Sequence, residues 1–206
     1  KEEAGRVAVS IFVNPTQFGP NEDFSRYPRQ EEADQALLET AGCDLVYLPG
    51  DEAIYPKGFA TSITVSGVSE GLCGACRPGH FAGVATVVAK LLLQGLPDLA
   101  VFGEKDYQQL QVIKRLVLDL DIPVRIVPGP TLREADGLAK SSRNAYLSQA
   151  ERAIAPALYR LLLEAAARVR AGEATGMACR DAEKALLAAG FTKADYIEVR
   201  DSQTLQ

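Results

Sequence analysis

Four short segments carry the side chains most suited to chemistry. Asn14-Pro15-Thr16-Gln17-Phe18 offers two primary amides. Each amide donates and accepts at once, which suits a hydroxyl or carboxylate of a small polar substrate. Asn-Pro is also an ordinary turn starter, so a plain turn fits the segment equally well. Gly103-Glu104-Lys105-Asp106-Tyr107-Gln108-Gln109 joins a glycine that lets a ligand approach the backbone to a lysine able to meet a phosphate. Asp106 would accept ribose hydroxyls or cap the helix that follows, and Gln109, one turn past Lys105, would face the same pocket. Asp136-Gly137-Leu138-Ala139-Lys140-Ser141-Ser142-Arg143-Asn144 sets hydroxyls and cations directly after a glycine turn, a dense donor set for a polyphosphate. Its bland counterpart is an exposed basic turn. Arg77-Pro78-Gly79-His80-Phe81 contains the single histidine, a residue type that more often serves structure than catalysis.

The elements that must position these segments follow from periodicity. Val7–Val13 is a continuous apolar, β-branched run that predicts a strand buried on both faces and ending at Asn14-Pro15. Glu31–Ala41 has helical composition with Gly42 at its C-terminal cap, and Asp44–Leu48 predicts the next strand. A short strand is expected near Thr61–Val65. Phe81–Gly95 is expected as a helix, its run Val84–Leu93 buried, then Leu99–Gly103 as a strand, Tyr107–Asp119 as a helix and Val124–Val127 as a strand. Such alternation predicts an α/β fold with a mostly parallel sheet covered by helices. Ligands in these folds sit at the carboxyl ends of strands, here Phe12-Val13-Asn14-Pro15 and Phe102-Gly103-Glu104-Lys105. After Pro128-Gly129-Pro130 the composition turns helical, with Ala150–Arg170 and Met177–Ala189 expected as helices and Tyr196–Val199 as a short strand. A boundary near Leu132 is therefore expected, between residues 1–131 and a smaller α+β unit over 132–206.

Of the 206 residues, 47% are hydrophobic and 24% charged, the balance of a soluble globular chain. A formal charge of −5 argues against general affinity for nucleic acid. No apolar run is long enough for a membrane-spanning helix, and no signal-peptide pattern opens the chain. Cys43, Cys73, Cys76 and Cys179 are too sparse for a disulfide scaffold. Cys73-Gly74-Ala75-Cys76 is a solitary CxxC, a weak pointer to redox chemistry or to half of a zinc site that has only His80 to add. The chain opens Lys1-Glu2-Glu3-Ala4-Gly5 without Met and enters a strand almost at once, the look of a truncated or processed polypeptide.

Taken together and in order, the segments resemble the pantothenate synthetases. The resemblance rests on Val9-Ser10-Ile11-Phe12-Val13-Asn14-Pro15-Thr16-Gln17-Phe18, Arg77-Pro78-Gly79-His80-Phe81-Ala82-Gly83-Val84, Phe102 to Leu110 and Asp136 to Leu147, and extends to Ile197-Glu198-Val199-Arg200-Asp201. It implies a Rossmann-like nucleotidyltransferase domain followed by a small C-terminal domain. The implied activity is an AMP-forming ligation in which pantoate attacks Mg-ATP and the resulting pantoyl adenylate is captured by β-alanine. By the same resemblance Gln17 and Gln109 hold pantoate, Asn14 supports the substrate loop, and Phe12, Val84 and Val87 supply apolar surface. Gly103 and Asp106 contact ribose, and Lys105, Ser141, Ser142 and Arg143 contact phosphates. ATP, Mg²⁺, a homodimer and a cytoplasmic location are implied as well; the Mg²⁺ ligands are not.

Two departures from the family pattern stand out. The early His-x-Gly-His signature is absent and the chain stops before the family's final strands, so a fragment with weak or no turnover is expected. Lys140 stands where an apolar residue is more usual, either adding a phosphate contact or loosening the adenine pocket. The competing expectations are another nucleotidyltransferase-type enzyme, a non-catalytic nucleotide-binding fragment, and last a redox protein built on the CxxC.

Overall fold

The computed structural model describes residues 3–206, so the opening Lys1 and Glu2 lie outside it. Its architecture is α/β with parallel strands. Strand β1 (Ala8–Ser10) pairs with β2 (Leu45–Tyr47), and β3 (Leu99–Gly103) pairs with β4 (Arg125–Gly129). Parallel partners need a crossover, supplied by α1 (Glu31–Thr40) in the first pair. Gly42 adopts φ 74° just past that helix, the left-handed stop its position predicts. Two short helices, α2 (Asp51–Ile54) and α3 (Leu72–Cys76), precede α4 (His80–Gly95), and α5 (Tyr107–Asp119) is the crossover of the second pair. Among the described residues the two pairs do not hydrogen-bond to each other.

The core lies against α4. That helix buries ten positions, because its sequence is apolar almost all the way round. α5 buries Leu110, Val112, Ile113 and Leu116 at helical spacing. Ile54, Val65 and Ile122 complete a cluster with both helices, against which Phe12, Phe102 and Ile126 pack. A separate cluster of Ala165, Ala178 and Ala182 joins α7 (Ala157–Arg170) to α8 (Thr175–Ala188).

Four expected elements differ. The strand over 7–13 shortens, although the Ile11 N–H still donates to the Tyr47 carbonyl at 3.0 Å. The chain then peels away because Asn14 is spent on its own turn and Pro15 has no N–H to donate. Thr61–Val65 finds no strand partner among the described residues; the Ile63 N–H donates to Thr86 Oγ1 of α4 at 3.0 Å instead. The helix over 150–170 is two, α6 (Gln149–Ile154) and α7, separated at Pro156, which stands at the N-terminal cap of α7. Tyr196–Val199 forms no ladder among the described residues; Ile197 packs on the second cluster and the Tyr196 hydroxyl reaches Cys73.

Candidate active site

Beyond β1 the chain makes a single 3-10 turn, Pro15–Gln17, pressed onto α4. Asn14 organises it. Only 3% exposed, its Oδ1 accepts from the Thr16 N–H (3.3 Å), Thr16 Oγ1 (2.9 Å) and the Tyr55 hydroxyl (2.7 Å). Its Nδ2 donates to the Gly83 carbonyl and to Gln17 Oε1, both at 3.2 Å. The Asn14 amide therefore has no capacity left for a ligand. Gln17, by contrast, has only its oxygen committed. Its Nε2, with two N–H donors, makes no hydrogen bond among the described residues.

Gly83 makes this docking possible. A Cβ there would lie 2.6 Å from the Thr16 carbonyl oxygen and 2.8 Å from the Gln17 nitrogen, both backbone atoms. No side chain fits.

His80 fixes the far side of the same turn. Its Nδ1 is 2.9 Å from the Gln17 carbonyl, which only accepts, so Nδ1 carries the proton. Its Nε2 is 3.2 Å from Arg77 Nη1, which only donates, so Nε2 is unprotonated. The imidazole is thus neutral, with its tautomer set by two neighbours. Burial lowers its proton affinity and the Arg77 charge adds to this, opposed by the Gln17 carbonyl. Arg77 in turn grips Glu22 with two bonds, Nε to Oε1 at 2.7 Å and Nη2 to Oε2 at 2.5 Å. That contact holds the Glu22 carboxyl below its ordinary value.

The end of β3 is open. Gly103 has φ −69°, which any residue adopts, and a Cβ there would meet nothing within 4 Å. Neither conformation nor packing asks for glycine here. Lys105 and Asp106 follow, both exposed, with Nζ and Oδ1 3.9 Å apart. Asp106 makes no capping bond to α5, so that alternative is not realised. It lies within electrostatic reach of His80. Gln109 is half-buried on α5 and makes no side-chain hydrogen bond among the described residues.

The third segment turns tightly through Gly137 (φ 94°), with an antiparallel bridge between Arg133 and Ala139. Ser141 accepts from the Arg143 N–H at 3.3 Å and starts a 3-10 turn over Ser142–Tyr146. Lys140 and Ser142 are exposed. Arg143 is engaged: Nε and Nη2 donate to the two oxygens of Asp23 at 2.9 and 2.8 Å, and its guanidinium lies 5.1 Å from the Tyr27 ring centroid. Arg143 pulls the Asp23 carboxyl down to about 2. The Tyr146 hydroxyl donates to the Arg26 carbonyl at 2.8 Å.

The fold thus brings Gln17, His80 and Arg77 onto one edge of α4, with Asp106 and Arg143 in electrostatic reach. Val84 and Val87, at 2% and 5% exposure, are core members, and Phe12 packs on the same cluster. Sequence reasoning missed Tyr55, Glu22, Asp23 and Gln108. Gln108 is 7% exposed and its Nε2 donates toward the carbonyls of Val68 (3.1 Å), Glu70 and Gly71 (both 3.3 Å). Its Oε1 accepts from the Cys73 N–H at 3.0 Å. Of the pair Gln108-Gln109, period alone places only one on the core side, and the apolar positions Leu110, Ile113 and Leu116 were the available guide.

The family model for pantoate-beta-alanine ligase matches residues 1–206. The pantothenate synthetase of Paramagnetospirillum magneticum is 64% identical over 204 residues, covering 99% of this chain and 72% of that protein. That of Rhodospirillum rubrum is 58% identical over 201 residues, covering 98% of this chain and 71% of the relative. Among solved structures, pantothenate synthetase from Thermus thermophilus superposes with a TM-score of 0.95 at 51% identity, over 100% of this chain and 75% of that one. The pantoate-beta-alanine ligase of Francisella tularensis, complexed with beta-gamma ATP and beta-alanine, gives a TM-score of 0.83 at 36% identity, over 97% of this chain and 73% of that one.

Proposed function

The chain belongs to the pantoate-β-alanine ligase family, and from that premise we propose that it joins pantoate to β-alanine using ATP, with release of AMP and pyrophosphate. The pantoate carboxylate attacks the α-phosphorus of ATP and pyrophosphate leaves. The β-alanine amine then attacks the acyl carbon of pantoyl adenylate and AMP departs. A carboxylate is a poor acyl donor and its mixed anhydride with AMP a good one, so the protein's task is positioning and charge stabilisation.

The observation that carries this reading is the polarised Gln17. Its oxygen is held by Asn14 and its Nε2 is free, so it presents donors only, as a hydroxyl or carboxylate oxygen of pantoate requires. Gln109 would supply the second amide. Asn14, with its amide saturated, is a positioning residue. Phe12, Val84 and Val87 would back the pantoate methyls with whatever surface the core leaves uncovered. Gly103 gives room for ribose, Asp106 accepts its hydroxyls, and Lys105, Lys140, Ser141, Ser142 and Arg143 take the phosphates. Mg²⁺ would arrive with the triphosphate, which suits an ion that keeps most of its waters and binds substrate phosphates. No group of three or more His, Cys, Asp or Glu stands ready for a metal among the described residues.

A division into residues 1–131 and 132–206 belongs to this reading, supported by the separate core clusters. So do the homodimer and a cytoplasmic location; no helix among the described residues is long and apolar enough to cross a membrane.

The test is AMP release from ATP with pantoate, with and without β-alanine. AMP that depends on both acid and amine supports the ligase; ATP binding without AMP would leave a nucleotide-binding chain. Lys105→Ala and Arg143→Ala are each expected to slow adenylate formation at least a hundredfold, the scale of losing one preorganised charge. Near-normal rates in both would remove these residues from the phosphate site.

A further inference from the structure

The ligation uses neither thiol of Cys73-Gly74-Ala75-Cys76, yet the structure builds an unusual setting around them. α3 is a single turn entered through two successive residues with positive φ, Gly71 at 65° and Leu72 at 45°. A leucine in the left-handed region persists only where its surroundings impose it. Here the imposition is Gln108, whose amide ties the carbonyls of residues 68, 70 and 71 and the Cys73 N–H to α5. Gly74 presses the turn onto the preceding loop, since a Cβ there would fall 1.8 Å from the Ser69 carbonyl oxygen.

Both thiols are free. Cys76 is exposed, and Cys73 is half-buried with its Sγ 2.8 Å from the Tyr196 hydroxyl, a contact spanning 123 residues of sequence. Arg77 lies within electrostatic reach of Cys73, and Lys193 of Cys76. Each cation already has a carboxylate partner, Glu22 for Arg77 and Asp195 for Lys193, so it is the exposure of Cys76 that admits an oxidant such as oxidised glutathione. Residues three apart on a helical turn have Cβ atoms about 5–6 Å apart, against roughly 3.5–4.5 Å in a disulfide. A one-turn helix can close that gap.

We propose that Cys73 and Cys76 form a reversible disulfide, and that closing it frees Tyr196 and disturbs the adjoining Arg77, lowering ligase activity. The exposed Cys76 attacks one sulfur of a low-molecular-weight disulfide and expels one thiol. Cys73 then displaces the second thiol from the mixed disulfide. Two protein thiols and one disulfide become one protein disulfide and two small thiols, with two electrons passed. A ring closed over four residues removes little entropy from the unfolded chain, so the bond is a switch and not a stabilising staple. The route to activity is short: Arg77 follows Cys76 directly and holds both Glu22 and His80.

The experiment treats the purified full chain with oxidised glutathione and then with dithiothreitol. Expected are the loss of two hydrogens from the intact mass and a single peptide in which Cys73 and Cys76 are linked. Amide exchange over residues 191–199 should rise on oxidation, and ligase activity should fall; dithiothreitol should restore both. Cys76→Ser should be insensitive, and Cys73→Ser, which keeps a hydroxyl for Tyr196, should stop at a glutathione adduct on Cys76 with no loss of two hydrogens, while the double variant Cys43→Ser/Cys179→Ser stays sensitive. An unchanged mass, a stable glutathione adduct on Cys76 alone, or a linkage that alters neither exchange nor activity would overturn the proposal. Mass and exchange need no turnover, so these outcomes are separable from failure of the ligase reading.

Discussion

His80 ties the turn that carries Gln17 to pH. One of its two ring bonds requires the neutral form: Nδ1–H donates to the Gln17 carbonyl in either state, but Nε2 accepts from Arg77 only when unprotonated. Protonation would replace that second bond with two cations face to face, relieved only by Glu22 and Asp106 nearby. Because the folded value lies below the ordinary one, this group's contribution is complete above about pH 6.5 and is lost as pH falls through the folded value. The KM for pantoate is expected to rise only as pH falls through that folded value, on the acid side of the ordinary histidine range, with kcat less affected. His80→Asn, which keeps a donor near the Gln17 carbonyl and cannot titrate, should flatten that limb. An unchanged acid limb in His80→Asn would assign it to another group. The neighbouring glutamines give a second prediction. Gln109→Leu should abolish pantoate binding and leave the urea midpoint unchanged. Gln108→Leu should cost about 1–3 kcal/mol, because it orphans the Cys73 N–H and three carbonyls. Equal destabilisation by the two would contradict the assignment.

At the scale of elements, the decisive contact is the Pro15–Gln17 turn lying on α4 without space between them. Gly83→Ala must push apart two backbones, since the new methyl would stand 2.6 Å from the Thr16 carbonyl oxygen. Overpacking of this kind typically costs about 1–3 kcal/mol. Here the displacement also moves Asn14, whose Nδ2 donates to the Gly83 carbonyl. Reduced stability together with a raised KM for pantoate is expected, read by chemical denaturation and steady-state kinetics. A variant with native KM would mean that the turn does not position Gln17. This dependence was not visible in the chain itself, where Gly83 is one glycine in an apolar helix. The helix was legible, because a long apolar run after Gly79-His80 has few alternatives. The strands were less so: Val7–Val13 reads as a long strand, yet pairing ends near Ile11 since the turn claims Asn14.

Across the whole molecule, residues far apart in sequence are clasped at a few polar points. Arg143 grips Asp23, Tyr146 reaches the Arg26 carbonyl, Tyr107 donates to the Ser202 carbonyl and Cys73 meets Tyr196. The Asp23–Arg143 pair is half-exposed on the arginine side, so solvent screening limits it to about 1 kcal/mol. Asp23 has a folded value of about 2, so this term is full above the ordinary aspartate range and disappears as pH falls from about 4 toward 2. Asp23→Asn should therefore lower the melting temperature at pH 7 and leave it nearly unchanged at pH 2, where the native carboxyl is already substantially protonated. If Arg143 takes a phosphate as proposed, the same substitution removes a carboxylate that would compete for it. A severalfold lower KM for ATP is expected, and a higher one would mean that Asp23 orients Arg143 for its ligand.

The sequence alone determined the α/β character, the helices α4 and α5, the family, and the segments that carry polar chemistry. These depend on local periodicity and on residue types in order, both of which a linear chain displays. The tertiary structure decided which member of each segment is free and which is spent. Asn14 is saturated while Gln17 keeps its donors, Gln108 is a buried tie while Gln109 is unengaged, and Arg143 is held by a carboxylate 120 residues away. Hydrogen-bond capacity is consumed by whatever the fold brings within about 3 Å, and for these residues the partners come largely from other elements.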